Sequence, residues 1–105
     1  MKVELLWFED CPNHKPAEVM LNEVLVENDV DVEIQRIEVP DLETGNRVTF
    51  PGSPTIRING NDVETDWEVC DDCTPRCRLY FTENGFSGLP QRDWIEDAVK
   101  AALAA

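Results

Sequence analysis

The chain has 105 residues, 42% hydrophobic and 30% charged. That is the composition of one ordinary folded domain over residues 1–105, long enough to bury a core without help from a metal or a disulfide. Nine Lys and Arg stand against 22 Asp and Glu, a net charge of −13; such a surface repels nucleic acid and anionic membranes and suits a self-repelling monomer or small oligomer. No apolar run approaches the roughly 18 residues of a membrane span, and Glu4 interrupts any signal-peptide core, so the expected location is cytoplasmic, where thiols stay reduced.

Residues 2–8 place Val3, Leu5 and Trp7 on one side and Leu6 and Phe8 on the other, which predicts a strand buried on both faces and hence central in a sheet. Over residues 16–28 the period changes: Ala17, Met20, Leu21, Val24 and Leu25 share one face of a helix, with Pro16 in its first turn and Asn28-Asp29 at its end. Residues 31–39 read as a second strand. Val32 and Ile34 share a face while Ile37 and Val39 fall out of phase, which predicts a bulge near Arg36. Residues 41–50 read as a short helix interrupted at Gly45-Asn46.

A third strand over residues 55–59 runs into the turn Asn59-Gly60-Asn61-Asp62. Residues 64–76 form an acidic, cysteine-bearing excursion, and residues 77–82 read as the fourth strand. After the turns at Asn84-Gly85 and Ser87-Gly88, Pro90 opens a last helix that buries Trp94, Ile95, Ala98, Val99, Ala102 and Leu103. The order β-α-β-(α)-β-β-α predicts an α/β fold: a mixed four-stranded sheet flanked by helices, with a parallel right-handed crossover at its start. The 2–8 strand is expected at the centre, antiparallel to the 55–59 strand.

The chemistry-bearing residues are the cysteines. Cys11 follows a strand and precedes a helix, where unpaired N–H groups and the positive end of the helix dipole favour thiolate over thiol. Glu9 and Asp10 oppose this by like charge. His14 either stabilises that thiolate when protonated, serves as base or ligand when neutral, or is a plain polar cap. Cys70, Cys73 and Cys77 form Cys-x2-Cys-x3-Cys, a candidate ligand set for zinc or another soft ion, with Cys11 or His14 as a fourth donor if the excursion folds back. Asp71 and Asp72 are expected to raise the pKa of Cys70 and Cys73, whereas Arg76 and Arg78 are expected to lower that of Cys77. Cys77 is thus the natural second thiolate, and Asp10 is the carboxylate placed to donate a proton beside Cys11.

The strand-Cys11-Pro12-helix junction, the Ser53-Pro54-Thr55 loop and the element order resemble the thioredoxin-like superfamily over nearly the whole chain. The finer pattern resembles small stand-alone thioredoxin-like proteins that are grouped by sequence with alkylmercury (organomercurial) lyases: Leu-Leu-Trp-Phe-Glu-Asp-Cys-Pro, Gly-Ser-Pro-Thr-Ile-Arg-Ile-Asn-Gly, Cys77-Arg78-Leu79-Tyr80 and Gly88-Leu89-Pro90. The resemblance implies a cis bond before Pro54 and a Ser53-Pro54-Thr55 loop that offers backbone groups to an extended thiol-bearing substrate. It also implies Cys11 and Cys77 as the reactive pair, because His14 stands where thioredoxins carry their second cysteine.

Three functions follow as expectations. The first is thiol–disulfide exchange on a thiol or disulfide substrate, with Cys11 attacking, Cys77 or an external thiol resolving, and no cofactor required. The second is capture of mercury, copper or zinc by converging thiolates, with Asp10 as the acid in an alkylmercury lyase-like version. The third is a non-catalytic binding scaffold, which would bury Cys11 without a partner.

Overall fold

In chain order the elements are β1 (Val3–Trp7), α1 (His14–Glu27), β2 (Ile34–Glu38), α2 (Leu42–Val48), β3 (Thr55–Ile58), β4 (Asn61–Asp62), β5 (Tyr80–Thr82), β6 (Gly85–Ser87) and α3 (Arg92–Ala104). They are taken from a computed structural model that describes residues 1–67, 69–70 and 72–105. Asp71, expected to act on Cys70 and Cys73, lies outside the described residues. The architecture is mixed α/β, with a four-stranded sheet in the order β2-β1-β3-β4. β2 runs parallel to β1 in the register Val3↔Ile34 to Trp7↔Glu38. β3 runs antiparallel to β1, with Val3 opposite Ile58. Among the described residues, no helix is long and apolar enough to cross a membrane.

β1 is central because both its faces are covered. Val3 and Leu5 pack with Ala17, Leu21, Val24 and Leu25 of α1 and with Ile95 and Val99 of α3. Leu6 points the other way, to Val39, Phe50 and Cys73. The same division explains β2. Its register runs unbroken through Leu5↔Arg36 and Leu6↔Ile37, so there is no bulge at Arg36. Ile34 serves the α1–α3 face and Ile37 the opposite one; the shift of phase marks a strand with two apolar faces.

The second face is covered by α2 and the cysteine-bearing excursion. α2 is continuous through Gly45-Asn46, capped by Asp41, whose side chain accepts the Thr44 N–H at 2.9 Å. Gly45 is buried, and a Cβ built there would overlap the Cys73 carbonyl oxygen. Glycine stands here to let the excursion lie against the helix, and the helix absorbs its unfavourable propensity.

The fourth strand differs from the expectation. β4 is the two-residue segment directly after the Asn59-Gly60 turn and pairs with β3. Residues 77–82 do not extend the sheet; β5 pairs only with β6, as a separate hairpin. Its inward residues are Arg78 and Tyr80 while Cys77, Leu79 and Phe81 are exposed. A strand whose inner side carries a guanidinium and a phenol seeks polar partners, and it lies across the end of β3 to reach them. At the C-terminal end, α3 begins at Arg92 after an N-cap at Gln91, and Leu103 is exposed rather than buried. The radius of gyration is 12.9 Å, close to the roughly 13 Å of a single folded domain of this length.

Candidate functional site

The two free thiols of the chain, Cys11 and Cys77, meet at Ser53. Cys11 lies in the turn between β1 and α1, its N–H bonded to the Phe8 carbonyl at 3.1 Å. Its Sγ donates to the Ser53 carbonyl at 3.4 Å and accepts the Asn13 N–H at 3.4 Å. Ser53 is fully buried, and every polar group it has is engaged. Its N–H donates to the Arg76 carbonyl and its carbonyl accepts the Arg78 N–H, each at 2.8 Å. Its Oγ accepts the Phe8 N–H at 3.3 Å. Those two backbone bonds bracket Cys77 and set it in a parallel bridge opposite Ser53.

The result is that two cysteines far apart in sequence lie against the same buried residue. Partial burial, the charge on Cys11 and a hydrogen bond to Cys11 all push the Cys77 thiol up. This reverses the expectation that its flanking arginines lower it, and the reason is where their charges go. Arg76 donates to the Asp72 carbonyl at 3.1 Å. Arg78 is buried and turned inward, reaching Asp62 through both terminal nitrogens at 2.7 and 3.2 Å. It also bonds Glu64 at 3.0 Å and the Thr55 hydroxyl at 3.1 Å, and sits 4.3 Å from the Tyr80 ring centre. Its charge is neutralised on the side away from the thiols.

Accessibility divides the pair. Cys11, expected as the accessible attacking thiol, is 2% exposed, whereas Cys77 is exposed. An incoming reagent meets Cys77 first.

The Ser53-Pro54-Thr55 segment, expected to receive a substrate, is buried. The Ser53–Pro54 bond is cis, Tyr80 donates its hydroxyl to the Pro54 carbonyl, and Thr55 donates to the Gly52 carbonyl at 2.6 Å. The place expected for an extended thiol-bearing substrate is filled by residues 76–78 of the chain itself. Gly52 permits this approach: its φ is +134°, and a Cβ there would come within 2.8 Å of the Arg78 Cβ.

His14 opens α1 and stacks on Trp7 with ring centres 4.6 Å apart. Trp7 Nε1 is buried without a hydrogen-bond partner among the described residues. Asp10 is exposed in the turn. Neither Asp10 nor His14 hydrogen-bonds a thiol among the described residues.

The proposed Cys70, Cys73 and Cys77 ligand set does not form. Cys70 and Cys73 are joined to each other in a disulfide, with Cα atoms 5.6 Å apart, and Cys77 sits with Cys11. Among the described residues, no three His, Cys, Asp or Glu side chains are placed to hold a metal ion. The disulfide, the Arg78–Asp62–Glu64 cluster and the spacer role of Gly45 all escape the sequence reading. The legible signals were Cys-x2-Cys itself and the alternation that turns Arg78 inward.

No protein-family model, no curated protein and no solved structure matches this chain. The site therefore stands on its own geometry: a buried and an exposed thiol, each held against Ser53.

Proposed function

We propose that the chain is a thioredoxin-like thiol–disulfide redox protein that works through Cys11 and Cys77. The observation that carries this reading is that both free thiols converge on Ser53, Cys11 through its Sγ on the Ser53 carbonyl and Cys77 through the bridge opposite it. The strand–turn–helix junction at Cys11, the Ser53-Pro54-Thr55 segment packed against it and the central β1 support the thioredoxin-like assignment. The order of attack follows from access. As a substrate disulfide reaches exposed Cys77, Cys77 gives up its proton to water. The Cys77 sulfur then bonds to one substrate sulfur and the other leaves as thiolate. Once that leaving thiolate has taken the proton from Cys11, Cys11 attacks the Cys77 sulfur and releases the second substrate thiolate, which is protonated by water. Two electrons pass from the cysteines to the substrate, and the protein holds a Cys11–Cys77 disulfide. No cofactor enters the reaction.

The test is titration with an aromatic disulfide whose thiolate is coloured. With Cys70–Cys73 oxidised, the parent protein should release two thiolates per chain. Cys11→Ser should release one and retain a mixed disulfide on Cys77, and Cys77→Ser should react at least tenfold more slowly. If Cys77→Ser reacts at the parent rate, the pair is not the working site and the scaffold reading gains.

A second reading rests on the same convergence at Ser53. Two thiolates, with no third donor among the described residues, suit a soft ion with linear two-coordination, Cu(I) or Hg(II), taken as substrate. An alkylmercury lyase-like version would use exposed Asp10 as the acid. Thiolate-to-metal absorption that needs both Cys11 and Cys77 would support it.

A further inference from the structure

The Cys70–Cys73 disulfide has no part in that reaction, yet it lies in the same stretch of chain as Cys77. Cys70 Sγ is 3.5 Å from the Phe50 carbonyl oxygen, and Cys73 packs against Phe50 and Leu6. Three residues further along, Ser53 holds Cys77 by the two backbone bonds at 2.8 Å. Phe50 to Ser53 spans at most about 10 Å even when fully extended. Cys73 and Cys77 are also joined directly through Thr74, Pro75 and Arg76. One pair is oxidised and the other reduced in the same structure, so one chain holds both a disulfide and two free thiols.

We propose that Cys70–Cys73 is a second redox couple that exchanges its disulfide with Cys11 and Cys77 inside one chain. The proposal rests on the reading of Cys11 and Cys77 as a working pair. The Cys77 thiolate attacks Cys73 Sγ; a Cys73–Cys77 bond forms, the Cys70–Cys73 bond breaks and Cys70 leaves as thiolate. Cys70 is the better-placed leaving group because it is half-exposed, whereas Cys73 is buried and a thiolate there would be desolvated. Burial of Cys73 does not bar the attack, which comes from the chain's own Cys77. The Cys11 thiolate then attacks Cys77 Sγ, releasing Cys73 and closing Cys11–Cys77. Two protons move from Cys11 and Cys77 to Cys70 and Cys73, and no outside oxidant is consumed. Run in reverse, the exchange passes an oxidised Cys11–Cys77 bond inward and regenerates the dithiol for a second substrate, so the chain stores two disulfides.

The experiment starts from fully reduced protein, freed of reductant, and adds one equivalent of oxidised glutathione. Samples are acid-quenched over time, alkylated and mapped by mass spectrometry. Trypsin cuts after Arg76, which separates Cys73 from Cys77 and makes each linkage readable. In the parent protein, Cys11–Cys77 should form first and then decline as Cys70–Cys73 grows. In Cys77→Ser, Cys70–Cys73 should form at least tenfold more slowly. The Cys11→Ser/Cys70→Ser double variant leaves only Cys73 and Cys77, and one equivalent of oxidant should join them. Cys70–Cys73 forming at the parent rate in Cys77→Ser, or separate glutathione adducts persisting in the double variant, overturns the exchange. These outcomes are distinct from failure of the underlying reading, in which Cys11–Cys77 never forms in the parent protein at all.

Discussion

Replacing Arg78 with methionine should be among the most damaging single changes in this chain. Arg78 is 6% exposed and pairs with an Asp62 side chain that is fully buried. Methionine keeps much of the volume and removes the charge, so Asp62 is left as an uncompensated buried carboxylate. Breaking a buried pair in this way costs about 3–5 kcal/mol. Near the midpoint of thermal unfolding, a domain of roughly 100 residues loses about 4–5 °C per kcal/mol, so Tm should fall by roughly 12–25 °C. The double change Arg78→Met/Asp62→Leu should recover most of that loss, because an apolar pair of similar volume is often neutral or stabilising at such a site; Glu64 is half-exposed and can turn to water. Melting followed by circular dichroism reads both variants. A fall of less than about 5 °C in Arg78→Met would refute the argument, since it would mean that Asp62 is hydrated rather than dependent on Arg78.

Three further changes probe the site and its supports. Iodoacetamide should label Cys77 before Cys11, with a pH midpoint above the ordinary thiol range. In Cys11→Ser that midpoint should fall part of the way, because the negative charge that opposes a second thiolate is gone while the burial contribution stays; an unchanged midpoint would separate the two thiols. Gly45→Ala forces a Cβ onto the Cys73 carbonyl and should cost roughly 1–3 kcal/mol, read as a lower urea midpoint together with faster reduction of Cys70–Cys73. Tyr80→Phe leaves the buried Pro54 carbonyl without its donor and should cost about 1–2 kcal/mol, with no change in the circular-dichroism spectrum at room temperature.

The parts of the fold governed by apolar periodicity were legible in the sequence. Val3, Leu5 and Leu6 announced a two-faced central strand, and Ala17, Leu21, Val24 and Leu25 announced the helix that covers it. What failed was decided by polar pairing and close backbone contact, which leave no periodic trace. Residues 77–82 alternate well enough to read as a strand, but Arg78 turns inward to the Asp62 side chain and β5 pairs only with β6. Gly45 reads as a helix breaker until the Cys73 carbonyl that needs the space is known. At the site, Cys11 and Cys77 were both legible as thiols. Which of them is exposed was not, because exposure depends on how residues 76–78 dock on Ser53. The Cys70–Cys73 bond leaves no trace beyond its Cys-x2-Cys spacing, which zinc half-sites share.

The distance in sequence between Cys11 and Cys77 has a consequence for mechanics. A bond between them would close a loop of about 65 residues, which in the chain-entropy picture restricts the unfolded chain by about 4 kcal/mol. Cys70 and Cys73, separated by 3 in sequence, close a loop worth only about 2 kcal/mol in the same picture. Moving one covalent link from the short loop to the long one therefore tightens the whole molecule with no change in the number of links. By reciprocity, any force that holds the chain folded pulls the link toward the long position, and any force that loosens the chain returns it to the short one. Electron occupancy and resistance to unfolding become a single coordinate, so that heat, denaturant or mechanical load would act on this protein as reductants of its long-range bridge.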